Sequence, residues 1–338
     1  MPLLGVKNLA IDVERDGVVH RLVHDASFSV DRGETLAIVG ESGSGKSLSA
    51  LAVIGLLSEG LTVSSGSIRY ADQEITGLDE PARNALRGSE IAMIFQEPMT
   101  SLNPVRSIGH QITEGMRLKL GLTRRQAKAR AIELLEEVGI SDPQQRLKQY
   151  PHQLSGGMRQ RVMIAIALSC KPSLILADEP TTALDVTIQA QILSLTARIC
   201  RDHGVGLVLI THNLGIVARY AQNVAVMYGG RIVEKAAAAE LYRAPMHHYT
   251  RGLLNSVPRL DIPRDVPLRP ISGAPPDPMQ HVPGCRFHPR CGAATDRCRR
   301  DVPRLEMHGD HAVACWHPDT GEQSDTVAHP VAKSMGAA

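Results

Sequence analysis

Thr35 to Ser47 reads TLAIVGESGSGKS, an apolar strand running straight into a glycine-rich loop that ends on a lysine and a serine. Apolar residues at helical intervals follow from Lys46 to Leu57, so strand, loop and helix succeed one another without a gap. Gly40 to Ser47 fits the pattern G-x-x-x-x-G-K-[ST], and a strand ahead with a helix behind is the context that pattern requires. Gly40, Gly43 and Gly45 let the backbone curl until successive N–H groups face a phosphate, and the helix N-terminus adds a favourable dipole. On this reading Ser42, Ser44 and Leu48 line the same cradle, Lys46 neutralises β- and γ-phosphates, and the Ser47 hydroxyl ligates Mg²⁺.

Many ATPases carry such a loop, and two later segments narrow the choice. Leu154 to Arg161 reads LSGGMRQR, and LILADEP, Leu174 to Pro180, begins seventeen residues after Gly157. In LILADEP a buried strand ends in two carboxylates. Asp178 is placed to hold Mg²⁺ through water, and Glu179 to orient or polarise an attacking water. A lone apolar strand ending in Asp-Glu is weak evidence, because strand ends are commonly acidic. The distance behind LSGG makes it specific.

Around these motifs the opening third reads as strands (KNLAIDVE, HDASFSV, TLAIVG). A helix-rich stretch runs from about Glu80 to Gln153, with helices expected over Ile108 to Leu120 and Arg124 to Val138. A helix from Gly156 to Ser169, strand SLILADE, helix Ile188 to Asp202, strand VGLVLIT and a hairpin-like NVAVMYGGRIVEKA complete an alternation that predicts a largely parallel sheet covered on both faces. After about Val257 the chain turns proline-rich and loses periodicity, marking a linker into a small appended module. Gly321 to Ala338 is polar and small, and reads as a disordered tail.

Composition sets limits on function. The chain has 338 residues with 43% hydrophobic content, enough for a packed core, and no stretch approaches the ~20 apolar residues of a spanning helix. The start, MPLLGVKNLAIDVERD, has no basic region ahead of a long apolar run, so no secretory peptide is expected. A formal charge of +2 and 3% aromatic residues give neither the field nor the stacking platforms of a nucleic-acid binder. The cluster Arg124, Arg125, Lys128 and Arg130 falls at helical spacing and reads as a solvated helix face.

Cys170 and Cys200 lie in apolar helical contexts and read as core residues. Cys285, Cys291, Cys298 and Cys315 form a second group within 31 residues, separated by gaps of five, six and sixteen, in a segment with little apolar material of its own. Such a segment needs a staple, and disulfides, zinc or an iron–sulfur cluster are the three readings. The absence of a secretory signal disfavours disulfides, and paired C-x₂₋₄-C zinc spacing is absent, whereas cluster ligands tolerate wider gaps.

The ordered set GESGSGKS, LSGGMRQR and LILADEP resembles the ATP-binding cassette (ABC) ATPases over roughly residues 5 to 250. The resemblance implies an α/β P-loop NTPase with a largely parallel central sheet, an N-terminal antiparallel β subdomain and an inserted helical subdomain at about 80–155, within a cassette spanning 1–256. It also gives roles to further residues. Gln96, in IFQEPMTSLNP, matches the Q-loop glutamine that touches the metal site and the membrane partner; Ala183 to Asp185 matches the D-loop. His212, ending VGLVLIT, matches the switch histidine that contacts the γ-phosphate, although a histidine met alone is more often a satisfied structural residue. In that family two cassettes sandwich two ATP molecules, so Ser155, Gly156 and Gly157 would donate to the γ-phosphate held by another subunit. Two departures stand out: the signature continues with Met158 where glutamine is commonest, and no Tyr, Phe or Trp near residues 14 to 24 offers adenine a stacking face, leaving His20 or Arg21 to substitute.

HHYTRGLLNSVPRL (His247 to Leu260), ISGAPP (Ile271 to Pro276) and GCRFHPRC (Gly284 to Cys291) are similar to the C-terminal extension of the dipeptide, oligopeptide and nickel importer ATPases, here over 257–320 with 321–338 as tail. The family's His-Pro-Tyr element reads His247, His248, Tyr249 in this chain. The resemblance implies that the four cysteines ligate a [4Fe–4S] cluster. It also implies a cytoplasmic-face, membrane-peripheral subunit that hydrolyses ATP to import short peptides or a related solute. Its partners would be a related, non-identical second ATPase, two transmembrane permeases and an extracytoplasmic solute-binding protein. The rival is a non-transport ABC ATPase acting on ribosomes or DNA ends. Those usually carry two cassettes in one chain or a long coiled coil, neither of which is read here.

Overall fold

The computed structural model describes residues 1–96, 101–180, 186–256 and 271–320. They fall into two compact units, one built from Met1–Leu4, Val30–Thr35 and Arg69–Ile210, the other from Gly5–Ser29, Leu36–Ile68 and the chain from Thr211 onward.

In the first unit, strands Ile91–Ile94, Leu174–Asp178 and Gly206–Thr211 lie side by side and parallel, with Leu174 opposite both Ile91 and Gly206. LILAD and GLVLIT are buried at every position, as continuous apolar runs must be when both faces of a parallel sheet are covered. Ile91–Ile94 falls inside the span read from sequence as helical. Its four residues, IAMI, are too short a run for periodicity to separate strand from helix, and pairing with Leu174–Ala177 decides the matter.

Helices Ile108–Lys119, Arg124–Glu137 and Gly156–Leu168 pack on one another in this unit. The first two bury stripes at helical spacing, Ile108, Ile112 and Met116 on one and Ala127, Ala131, Leu134 and Leu135 on the other. Their starts are set by Ser107, whose hydroxyl accepts from the His110 N–H, and by Thr123, which forms a capping box with Gln126. Arg124, Arg125 and Lys128 are exposed, the solvated face expected from their spacing.

In the second unit, strands Leu4–Arg15, Val18–Val30 and Leu61–Tyr70 form a small sheet with Leu4–Arg15 in the middle, the first two joined by the two-residue turn Asp16–Gly17. Strand Thr35–Val39 runs parallel to Asn223–Tyr228, which turns through Gly229–Gly230 into the antiparallel strand Arg231–Ala237. The sequence beyond residue 270 adds to this same sheet. His311–Val313 pairs antiparallel with Arg231–Ala237, Val313 opposite Glu234, and Glu306–His308 pairs outside it.

The segment therefore draws on an existing core. Phe287 is buried with Tyr228, Tyr249, Leu241 and Val226, and Ile271, Cys285 and Cys291 pack against that cluster. Tyr228 and Phe287 meet edge to face with centroids 5.2 Å apart, and Tyr249 lies 4.5 Å from Tyr228. Glu234, wholly buried, accepts from the Met246 and His247 N–H groups and pairs with His311 at 2.7 Å. One carboxylate thus joins a sheet strand, the start of helix His248–Asn255 and the C-terminal strand. The linker residues 257–270 and the tail 321–338 lie outside the described residues.

Candidate nucleotide site

Strand Thr35–Val39 delivers the chain to the glycine-rich loop, and helix Lys46–Ile54 leaves it. Gly40 has φ 155°, and a β-carbon there would stand 2.1 Å from the Met227 carbonyl oxygen, so only glycine fits. The loop is pinned by its own backbone: the Ser44 N–H donates to the Glu41 carbonyl, the Ser49 N–H to Gly45, and the Gly230 N–H to the Ser44 carbonyl. Lys46, 4% exposed, reaches back across the loop, its Nζ donating to the Gly40 carbonyl at 2.9 Å and the Glu41 carbonyl at 2.8 Å. Its ammonium is therefore held above a curl of backbone that opens into a helix N-terminus, the arrangement that binds a polyphosphate. Leu48, half-buried in the first turn of that helix, has only its backbone N–H to offer such a ligand.

Three neighbours of this loop were not read from the sequence. The Glu41 N–H donates to the Tyr249 hydroxyl at 2.8 Å. Arg290 clasps the Glu41 carboxylate with both terminal nitrogens, at 2.6 and 3.0 Å, and donates weakly to the Tyr228 hydroxyl at 3.4 Å. Sequence offered a single hint: an acid inside a loop built for anions calls for a cation, but its partner lies 249 residues away. Of the two candidates for adenine, Arg21 is engaged side-on with Asp12, at 2.8 and 3.1 Å, which holds the Asp12 carboxyl below its ordinary range. His20 Nδ1 lies 3.1 Å from the Met279 carbonyl oxygen. His212, also in this unit, is exposed just beyond strand Gly206–Thr211.

In the other unit, Asp178 ends its strand 7% exposed, and Glu179 follows in a left-handed conformation, φ 42°, while its N–H donates to the Ile210 carbonyl at 2.9 Å. That turn carries the second carboxylate out of the buried strand at the point where the two acids part. Gln96 Nε2 donates to Glu179 Oε2 at 3.3 Å, so the structure brings these two residues together. Ser155 caps helix Gly156–Leu168 by accepting from the Met158 N–H, and Ser155 and Gly156 are exposed at its start. Arg159 holds the approach to the helix by donating to the Pro151 carbonyl at 2.7 Å. Asp185 lies outside the described residues.

All six cysteines are free thiols, with Cys170 and Cys200 buried. Cys285, Cys291, Cys298 and Cys315 line one cavity together with Phe287, Trp316 and His247. Burial pushes the Cys285 thiol up to about 11 and the Cys315 thiol to about 12, and the other thiols add to both. Among the described residues no group of three or more His, Cys, Asp or Glu side chains is arranged to hold a metal ion.

A family model for the ABC transporter matches residues 23–182, which include the phosphate loop, Gln96, the LSGG segment and the Asp178–Glu179 pair. A second model, the oligopeptide/dipeptide transporter C-terminal region, matches residues 233–298. The chain is 48% identical over 326 residues to the oligopeptide transport ATP-binding protein AppD of Bacillus subtilis, spanning 95% of this chain and 99% of that one. It is 44% identical over 329 residues to the dipeptide transport ATP-binding protein DppD of Haemophilus influenzae, spanning 97% and 99%. The chain belongs to the ABC transporter ATP-binding proteins.

Solved structures agree on the fold of this ABC ATPase. The bacterial ABC transporter cassette MJ0796, solved as a dimer, aligns with TM-score 0.62 and 25% identity over 70% of this chain and 98% of its own. The cassette cbiO1 of Clostridium perfringens, part of the ABC transporter complex cbiONQ, aligns with TM-score 0.62 and 27% identity over 71% and 90%. The expected α/β cassette architecture is the one found. No helix among the described residues is long and apolar enough to cross a membrane.

Proposed function

We propose that this ABC ATPase hydrolyses MgATP to drive import of short peptides through a complex with two membrane permeases, fed by an extracytoplasmic solute-binding protein. The observation that carries it is 44–48% identity over nearly the full length to peptide-transport ATP-binding proteins, together with the C-terminal region that the transporter-specific model matches. Nothing in the loop or the extension calls for the non-transport alternative.

In this reading Gly40, Ser42, Gly43, Ser44, Gly45 and the Leu48 amide cradle the phosphates and Lys46 neutralises them, Ser47 and Asp178 hold Mg²⁺ with Gln96, and Glu179 aligns the attacking water. His212 contacts the γ-phosphate. Ser155, Gly156 and Gly157 serve the ATP of a second, related ATPase subunit, and Asp185 of the D-loop match counts among the ATP-binding residues; the dimeric state of the MJ0796 cassette supports a two-chain engine. The chain would sit peripherally on the cytoplasmic face of the membrane. The boundaries that go with it are a cassette over 1–256, its helical part near 80–155, and the extension over 257–320.

The complex reconstituted in liposomes should take up a labelled di- or tripeptide only with ATP inside. Glu179→Gln should cut phosphate release at least ~100-fold while ATP stays bound. Hydrolysis at the wild-type rate would remove Glu179 from this role, and robust hydrolysis without peptide uptake would send the substrate class elsewhere.

For the four cysteines the same reading places a [4Fe–4S] cluster on Cys285, Cys291, Cys298 and Cys315, a group that would supply four iron–thiolate bonds as a staple. What supports it is the placement of the four free thiols on one cavity. Anaerobically purified protein should carry about four irons and absorb near ~400 nm; stoichiometric zinc without iron would overturn the assignment.

A further inference from the structure

We propose that Arg290 is a positioning residue of the nucleotide site: from the C-terminal extension it cancels the charge of Glu41 and fixes it within the phosphate loop, making ATP affinity depend on the fold of the cysteine-bearing segment. The inference rests on reading Gly40 to Ser47 as the ATP phosphate cradle.

Glu41 puts a carboxylate on the stretch of backbone whose amides gather around a polyanion. Left bare, that charge opposes the ligand; clasped by a guanidinium it is cancelled. Arg290 is built for this. Its side chain is 5% exposed, its two terminal nitrogens meet the two Glu41 oxygens in a fork, and its Nε donates to the Ser272 carbonyl at 2.9 Å.

The backbone that carries Arg290 is set by the cysteines on either side. In the turn His288–Arg290 the His288 N–H donates to the Cys285 carbonyl at 2.9 Å, and the Cys291 N–H returns to His288. The Cys285 N–H in turn donates to the Cys298 carbonyl at 2.8 Å. Where the thiol segment goes, the guanidinium goes, and with it the counter-charge of the loop. Tyr249 adds a second tether, holding the Glu41 amide from helix His248–Asn255.

The test uses the full-length chain, fluorescent MANT-ATP titration with Mg²⁺, and steady-state hydrolysis. Arg290→Met should weaken nucleotide binding about tenfold, equivalent to ~1.4 kcal/mol, with KM rising in step and kcat at saturating ATP within about twofold. Combining it with Glu41→Gln should restore most of the affinity, because the uncancelled charge is gone; Arg290→Lys should fall between. Glu41→Gln alone, which leaves the guanidinium beside the loop uncancelled, should bind at least as tightly as wild type, and it carries the test if Arg290→Met does not fold. Arg290→Met binding like wild type, a double variant as weak as Arg290→Met, or Glu41→Gln binding more weakly than wild type each overturns the proposal. Failure of the wild-type chain to bind MANT-ATP would instead defeat the nucleotide-site reading on which it stands.

Discussion

His247 does two jobs that only a neutral imidazole can do. Its Nδ1 accepts the Tyr249 N–H at 3.0 Å, capping helix His248–Asn255, and its ring fills a fully buried place beside Phe287. Burial pushes its pKa from 6.5 to about 4, with Glu234 opposing the shift and His248 adding to it. The unfolded chain therefore binds a proton that the folded chain refuses between pH 6.5 and 4. This contribution to stability is complete above pH 6.5 and is lost as the pH falls toward 4, up to ~3 kcal/mol. His24, pushed down to about 4 by burial and by Arg286 and Arg231, acts in the same direction. Melting temperatures measured from pH 7.5 to 5 should fall, and His247→Asn, whose side-chain carbonyl can still cap the helix, should roughly halve the slope. An unchanged slope would acquit His247. The His-Pro-Tyr element, visible in sequence as a resemblance, thus acquires a physical content: a cap, and a tyrosine whose hydroxyl takes a phosphate-loop amide. None of that could be read from HHY itself, because both partners depend on burial.

Elements divide by how much of their reason for existing is local. LILAD and GLVLIT announce themselves because every residue is apolar, and helices Ile108–Lys119 and Arg124–Glu137 because cap and stripe agree. Strands Glu306–His308 and His311–Val313 carry no such signal at three residues each, and they exist because Arg231–Ala237 offers an edge. Upstream of them, the close approach of the chain at Gly284 to Cys298 depends on glycine, since φ is 66° and a β-carbon would stand 2.3 Å from the Cys298 carbonyl oxygen. Gly284→Ala should therefore destabilise the extension by about 2 kcal/mol or more, seen as earlier limited proteolysis between residues 271 and 320 and a lower melting temperature. Resistance equal to wild type would mean that the carbonyl yields without cost.

For the chain as a whole, the candidate catalytic residues stand in short, ordered motifs that a sequence can show, whereas the clasp on Glu41 joins positions 249 residues apart and leaves no local trace. The LSGG segment carries a statement about completeness. Ser155 and Gly156 lie exposed at a helix start, and under the proposed two-chain sandwich, in which this segment serves the partner's nucleotide, Ser155→Arg should leave MANT-ATP binding within about threefold of wild type yet lower hydrolysis more than tenfold. Equal losses in binding and turnover would place the fault in this chain's own fold.

The clasp of Arg290 and Tyr249 on the phosphate loop also sets a schedule for biosynthesis. Residues 40–47 leave the ribosome early, but the tyrosine that holds the Glu41 amide and the arginine that holds its carboxylate come more than two hundred residues later. At ~5–20 residues per second the nascent loop waits roughly 10–50 s for them. A chain interrupted before Arg290 therefore keeps every cassette motif and still lacks the counter-charge of its own loop, so an unfinished product competes poorly for nucleotide with the finished one.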